Sequence, residues 1–162
     1  MRHYIVYSLV LLVFLFPMSV HAEETTKQTK IYNLPPKMIA EYVDKTEGQK
    51  RILMIYTSWC GYCRQKMPDI MDIERSKKGS VIAVSVDDDY NQYARYAKKL
   101  SNSPFPLFLN KGSERGLKKK LSSYGVKAWN SYPTIIFLDE NSKAVAQGNY
   151  TAEQAAKYVL DE

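Results

Sequence analysis

The order in which two residue periods alternate limits the fold of this chain more than any other feature. "RILMIYT" (51–57) is an unbroken apolar run of strand length, and a helical stretch follows from about 60 to 76. "SVIAVSV" (80–86) is a second such run, and "YNQYARYAKKL" (90–100) then places Tyr90, Tyr93, Ala94 and Ala97 on one helical face. Strand, helix, strand, helix is the pattern that builds a parallel sheet with crossover helices.

The flanking segments extend this plan. "KMIAEYVDKTEG" has Met38, Ile39, Tyr42 and Val43 at helical spacing, with Gly48 as a stop signal. "SPFPLFLN" (103–110) is a proline-bounded apolar patch, and "SERGLKKKLSSYGV" reads as another helix. After Pro133 the pattern changes: "TIIFLDENSKAVAQG" is two apolar strands around a polar turn at 139–143, a hairpin signal. The chain closes on "TAEQAAKYVL", a helix with Thr151 as N-cap and Gln154 three residues on. Residues 23–34 are polar and without period, a flexible lead-in, so ordered structure is expected over 35–162 as one domain. A chain of 162 residues that is 45% hydrophobic and 25% charged agrees with one core rather than two.

The first 22 residues stand apart. "MRHYIVYSLVLLVFLFPMSVHA" has one basic residue, an apolar run from Ile5 to Phe16, Pro17, and small residues near Ala22. This is the pattern of a secretory signal peptide cleaved after Ala22, giving a periplasmic or otherwise exported protein. An uncleaved membrane anchor is the alternative, and it is disfavoured because the segment falls short of the ~20 apolar residues of a spanning helix. A lipid anchor requires a cysteine at the cleavage site, and the segment has none.

Both histidines, His3 and His21, lie in this leader. The remaining chain therefore lacks the usual base of Ser-His-Asp and Cys-His hydrolases and the imidazole ligands of zinc and copper sites, so no metal is expected. The formal net charge is +6, one unit of it from Arg2 in the leader. The lysine runs 77–78, 98–99 and 118–120 are dispersed over helices and helix ends and read as solvated faces, not as the aromatic-interleaved stripe of a nucleic-acid binder. An acidic membrane surface or partner is compatible with that charge.

Only two cysteines are present, Cys60 and Cys63. As a staple the pair would close so short a loop that the chain-entropy gain is roughly 2 kcal/mol. As a zinc site it supplies two ligands where structural sites use four. As a redox pair the placement is chemically apt. Cys60 would open a helix, where unpaired N–H groups and the helix dipole favour a thiolate, and Cys63 would lie one turn further in on the same face. The first thiolate can attack a substrate disulfide and the second can resolve the mixed disulfide. Arg64, four residues after Cys60, either adds positive charge there or faces solvent.

"WCGYC" after "ILMIYT", Pro68 five residues beyond Cys63, and "YPT" at 132–134 before a hairpin and last helix together resemble the thioredoxin superfamily over most of residues 50–160. The resemblance implies an α/β thioredoxin-like fold, a central mixed sheet (βαβ then ββα) flanked by helices, with an inserted strand and helix between about 90 and 125. It implies that Cys60 and Cys63 are catalytic and that Trp59, Gly61, Tyr62 and Pro68 support them, Trp59 packing beside the disulfide and Pro68 bending the helix. It further implies a cis bond between Tyr132 and Pro133 facing the cysteines. Tyr132, Pro133 and Thr134 would then bind an extended substrate segment by its backbone. No cofactor beyond the cysteine pair is implied.

Within the superfamily the "SVIAVSVDDDYNQYARYAKKL" and "FPLFLN" segments look like envelope reductases of the TlpA and ResA type. CGYC resembles periplasmic disulfide isomerases of the DsbC type, and Tyr132 before the proline resembles eukaryotic protein disulfide isomerase domains. The expected partners are protein thiols and disulfides of the envelope and a membrane electron donor, with no nucleic acid, and the chain is expected to act as a monomer. The expected direction is reducing, with isomerisation as the alternative and a non-catalytic binding or chaperone module as the alternative of another class. Copper delivery on this fold uses CxxxC plus a distal histidine, and peroxidases use a different local cysteine motif. The sequence departs from thioredoxins at Met54, which stands where they carry a buried aspartate. The proton acceptor for Cys63 is therefore unassigned, Asp87 being a weak candidate or simply a loop acid.

Overall fold

Residues 30–161 are described in a computed structural model; the leader 1–22, residues 23–29 of the lead-in and Glu162 lie outside the described residues. The apolar run at 51–57 forms β2 (Arg51–Tyr56), buried at all six positions. It pairs in parallel with β3 (Val81–Ser85) and antiparallel with β5 (Thr134–Leu138), with Met54 opposite Ala83 on one side and Ile135 on the other. β3 pairs in parallel with β4 (Leu107–Asn110), and β5 antiparallel with β6 (Ala144–Gly148). With β1 (Ile31–Leu34) at one edge, the sheet order is β1-β4-β3-β2-β5-β6. This is the expected mixed sheet of βαβ followed by ββα, with α3 (Tyr90–Ala97), β4 and α4 (Glu114–Leu121) inserted between β3 and β5.

The flexible lead-in expected over 23–34 is corrected at its end. Ile31–Leu34 form β1, an edge strand paired in parallel with β4, so the domain begins at least four residues earlier than expected. "IYNL" is too short to show a period, and its reason to be extended lies in partners distant in sequence. Tyr32 packs its ring against Phe108, and the Leu34 carbonyl accepts from the Lys111 N–H at 2.7 Å. The expected helical face at 90–100 also needs adjustment: Tyr93 and Ala97 are buried, whereas Tyr90 is half exposed.

Because side chains on a strand point alternately to its two faces, the sheet divides two cores. On one face Ile52, Met54 and Tyr56 pack with α2 (Gly61–Ser76), with Tyr93 and Ala97 of α3, and with α5 (Ala152–Leu160). On the other, Leu53 and Ile55 pack with Ile39 and Val43 of α1 (Pro36–Lys45) and Leu117 and Leu121 of α4. α5 carries the expected capping box, Thr151 and Gln154 each bonding the other's backbone N–H.

A buried cation ties three of these elements together. Arg51, fully buried at the start of β2, donates to the Val43 carbonyl at the end of α1 (2.9 Å), to Thr46 Oγ1, and to Ser142 Oγ in the β5–β6 turn (2.6 Å). Ser142 holds a left-handed φ of 62° and donates its own hydroxyl to the same Val43 carbonyl. The guanidinium thus sits at a helix C-terminus, where the exposed carbonyls and the dipole favour a positive charge. Replacing Arg51 by Leu leaves these acceptors without their donor in a dry site. The expected cost is about 3 kcal/mol, read as a lowered urea midpoint.

Candidate active site

The cysteine pair lies where β2 runs into α2. Thr57 and Ser58 follow the strand, Trp59 turns outward with 56% of its surface exposed, and Cys60 is the N-cap of α2. Cys60 and Cys63 are joined by a disulfide, their Cα atoms 5.2 Å apart. The Cys63 N–H donates to Cys60 Sγ at 3.1 Å, so a free amide of the first helical turn is aimed at that sulfur. The same amide would stabilise a thiolate there. Both cysteines are buried, Cys63 fully and Cys60 with 7% of its surface exposed.

The loop before the helix is held by an acid from the neighbouring strand. Asp87, two residues past the end of β3, accepts from the Ser58 N–H (2.7 Å) and the Ser58 hydroxyl (2.6 Å), and the Ser85 hydroxyl donates to it as well. Both carboxylate oxygens are thus committed to the serines. Asp87 acts as a clamp on the residue next to Trp59, and Met54 packs in the same buried cluster as Cys63.

The substrate-binding residues expected from the sequence come to the same place. The Tyr132–Pro133 peptide is cis, and Cys60 Sγ lies 3.5 Å from the Tyr132 carbonyl oxygen across 72 residues of chain. Trp59 meets Tyr132 edge-on at 5.8 Å between ring centroids. Pro133 and Thr134 are buried, and the Thr134 hydroxyl donates to the Ser131 carbonyl, closing the turn into β5. Burial, together with the adjacent Glu114 at the start of α4, pushes the Tyr132 hydroxyl well above its ordinary pKa. Tyr62 projects from the first turn of α2, 75% exposed. Gly61 beside it faces open space, with nothing within 4 Å of an added Cβ. Pro68 lies on the exposed side of α2; having no N–H, it leaves the Arg64 carbonyl without its helical donor.

Beneath the site are groups that sequence reading did not single out. Tyr56 of β2 and Tyr93 of α3 share a buried hydroxyl–hydroxyl hydrogen bond of 2.9 Å. Burial raises both phenols, and it raises that of Tyr96, one turn on, to about 12. Only the 90–93–97 spacing hinted at them, because a tyrosine on a helix face is as often half exposed as buried.

The chain matches the profile of the AhpC/TSA family over residues 37–147. No curated protein is similar enough to match. Among solved structures, a thiol:disulfide interchange protein of the thioredoxin family from Chlorobium tepidum TLS is 16% identical with a TM-score of 0.58, covering 72% of this chain and 81% of its own. The exposed lipoprotein thioredoxin of Streptococcus pneumoniae is 24% identical with a TM-score of 0.55, over 71% and 88%. A secreted Mycobacterium tuberculosis disulfide oxidoreductase homologous to Escherichia coli DsbE is 15% identical with a TM-score of 0.52, over 73% and 85%. At these identities the likeness is one of fold.

Asp87→Ala leaves the Ser58 N–H and two hydroxyls without an acceptor and is expected to lower stability by about 2–4 kcal/mol, measured by urea denaturation. Tyr56→Phe alone orphans the Tyr93 hydroxyl and costs about 1–2 kcal/mol at neutral pH, part of which the Tyr56→Phe/Tyr93→Phe double variant recovers. Because these phenols keep their protons in the folded chain above the ordinary value of 10, the unfolded chain releases protons first. Their contribution to stability is therefore flat below about pH 9 and falls as pH rises from 10 towards 12, and that fall is shallower in the double variant.

Proposed function

From the premise that the chain belongs to the AhpC/TSA family, we propose that it is an exported thiol-disulfide oxidoreductase working through Cys60 and Cys63 in the reducing direction. The observation that carries this reading is a bonded cysteine pair at a helix N-terminus, Cys60 as the N-cap beside the Tyr132 carbonyl and Cys63 fully buried in the first turn.

In the dithiol form, the Cys60 thiolate attacks one sulfur of a substrate disulfide, forming a mixed disulfide and releasing the other substrate sulfur as a thiolate. The Cys63 sulfur, having given up its proton to solvent or to the departing thiolate, then attacks Cys60 Sγ. The Cys60–Cys63 disulfide forms and the second substrate thiol leaves, so two electrons pass from the pair to the substrate. A dithiol donor, a membrane protein in this reading, returns the pair to its reduced form by the reverse exchange. Trp59, Gly61, Tyr62 and Pro68 shape the loop and first turns around the sulfurs. Tyr132, Pro133 and Thr134 offer the backbone against which an extended substrate segment lies.

The leader pattern at 1–22 supports export, and two proteins of the same fold are described as an exposed lipoprotein and as secreted. Among the described residues no helix is long and apolar enough to cross a membrane. The proposed partners are envelope proteins bearing thiols or disulfides, approached by a monomer. The Gly61-Tyr62 dipeptide between the cysteines favours isomerisation as the second reading.

Cys63→Ser is expected to accumulate mixed disulfides on Cys60 in the native envelope, identified after acid quenching by mass spectrometry. Partners with a single redox cysteine pair support reduction, and partners with several structural disulfides support isomerisation. Cys60→Ser abolishes the adducts; biological activity unchanged by that substitution would instead establish a non-catalytic binding module.

A further inference from the structure

Beside the disulfide, between the start of α2 and the outer side of α3, lies an open cleft of ≈ 370 Å³. Trp59 and Ser58 border it on the cysteine side, and Arg64, Arg95, Tyr96 and Lys99 line the rest. Its chemistry is one-sided. Arg64, Arg95 and Lys99 are exposed and belong to none of the three ion pairs formed among the described residues, which join Lys37 to Glu41, Arg75 to Asp72 and Lys118 to Glu114. No carboxylate lines the cleft among the described residues, and Asp87 in the adjoining loop has both oxygens turned onto Ser58 and Ser85.

Three exposed cations gathered along one cleft repel one another, and a group of opposite sign placed there relieves that repulsion. Arginine's planar fork fits a carboxylate in a bidentate pair. The cleft is open rather than enclosed, which suits the side chains of a chain lying across the surface better than a molecule engulfed by it. Trp59, next to Cys60, connects the two places: its indole meets Tyr132 and also borders the cleft. A polypeptide bonded through its cysteine to Cys60 therefore brings its neighbouring residues over these cations.

We propose that this cleft binds aspartate and glutamate side chains flanking the substrate's cysteine, so that the protein selects disulfides set in acidic polypeptide segments. The selection rests on the redox reading of Cys60 and deepens it by naming the substrate class.

The test uses the reduced protein and three model peptides, each joined to a chromophoric thiol by a disulfide and differing only in whether the flanking residues are acidic, neutral or basic. At low ionic strength the acidic peptide is expected to exchange roughly tenfold faster than the basic one, and raising the salt shrinks that ratio. Arg95→Gln/Lys99→Gln brings the ratio towards one, and Arg95→Glu/Lys99→Glu inverts it, an outcome that a loss of folding cannot produce. Equal rates for the three peptides with the native sequence overturn the cleft assignment and leave the redox reading standing. Absence of exchange with every peptide overturns the redox reading and the assignment with it. Faster exchange confined to a small dicarboxylate disulfide, with no preference among peptides, overturns the polypeptide assignment in favour of a small-molecule ligand.

Discussion

The complete burial of β2 is the constraint from which the rest of this molecule follows. A strand dry on both faces must be apolar at nearly every position, and its backbone N–H and C=O groups must find partners on both edges. β3 and β5 supply them, one parallel and one antiparallel. The one charged residue in the strand, Arg51, is tolerated because it lies at the first position, where it reaches the C-terminal carbonyls of α1 and the β5–β6 turn. With its beginning anchored in this way and its register set on both edges, the strand delivers Cys60 to the N-terminus of α2 at a defined height above the sheet. Asp87 fixes the last uncertain step, the loop at Ser58, from the end of the adjacent strand. The position of the sulfurs is thus a product of the sheet and owes little to the four residues around them.

That distinction explains what the sequence disclosed. The cysteine pair, its strand and its helix are neighbours along the chain, so local pattern carries them, and α1, α2, the hairpin and α5 appear at or close to the bounds read from periodicity and capping. The mixed sheet follows from element order. The lead-in at 31–34 was misread because four residues cannot express a period and their pairing partners lie at 107–110. Asp87 carried two readings, proton acceptor or loop acid, and only the approach of Ser58, 29 residues earlier, decides that its carboxylate works as a clamp. The helical period puts Tyr90 and Tyr93 on one face without distinguishing them; Tyr90 opens α3 and is half exposed, whereas Tyr93 is buried with a hydroxyl partner on another strand. Tyr56 supplies that partner, 37 residues away.

The replacement of the expected acid by Met54 gives the inner sulfur an apolar setting. Cys63 belongs to the same buried cluster as Met54, Tyr56, Met67 and Ile70, whereas Cys60 accepts from the Cys63 amide at the opening of α2, so the two sulfurs meet different surroundings.

Tyr132 packs against both buried clusters, the one containing the cysteines and the one on the far side of the sheet. Its ring touches Trp59, its carbonyl faces Cys60, and its hydroxyl is influenced by Glu114 at the start of α4. One side chain therefore joins the two layers at the lip of the site. Substitutions in α4, a helix that contributes no sulfur and no loop to the cysteine site, have a mechanical route to it through this joint. The far face of the sheet is thereby coupled to the cysteine face while the cysteine motif itself stays unchanged.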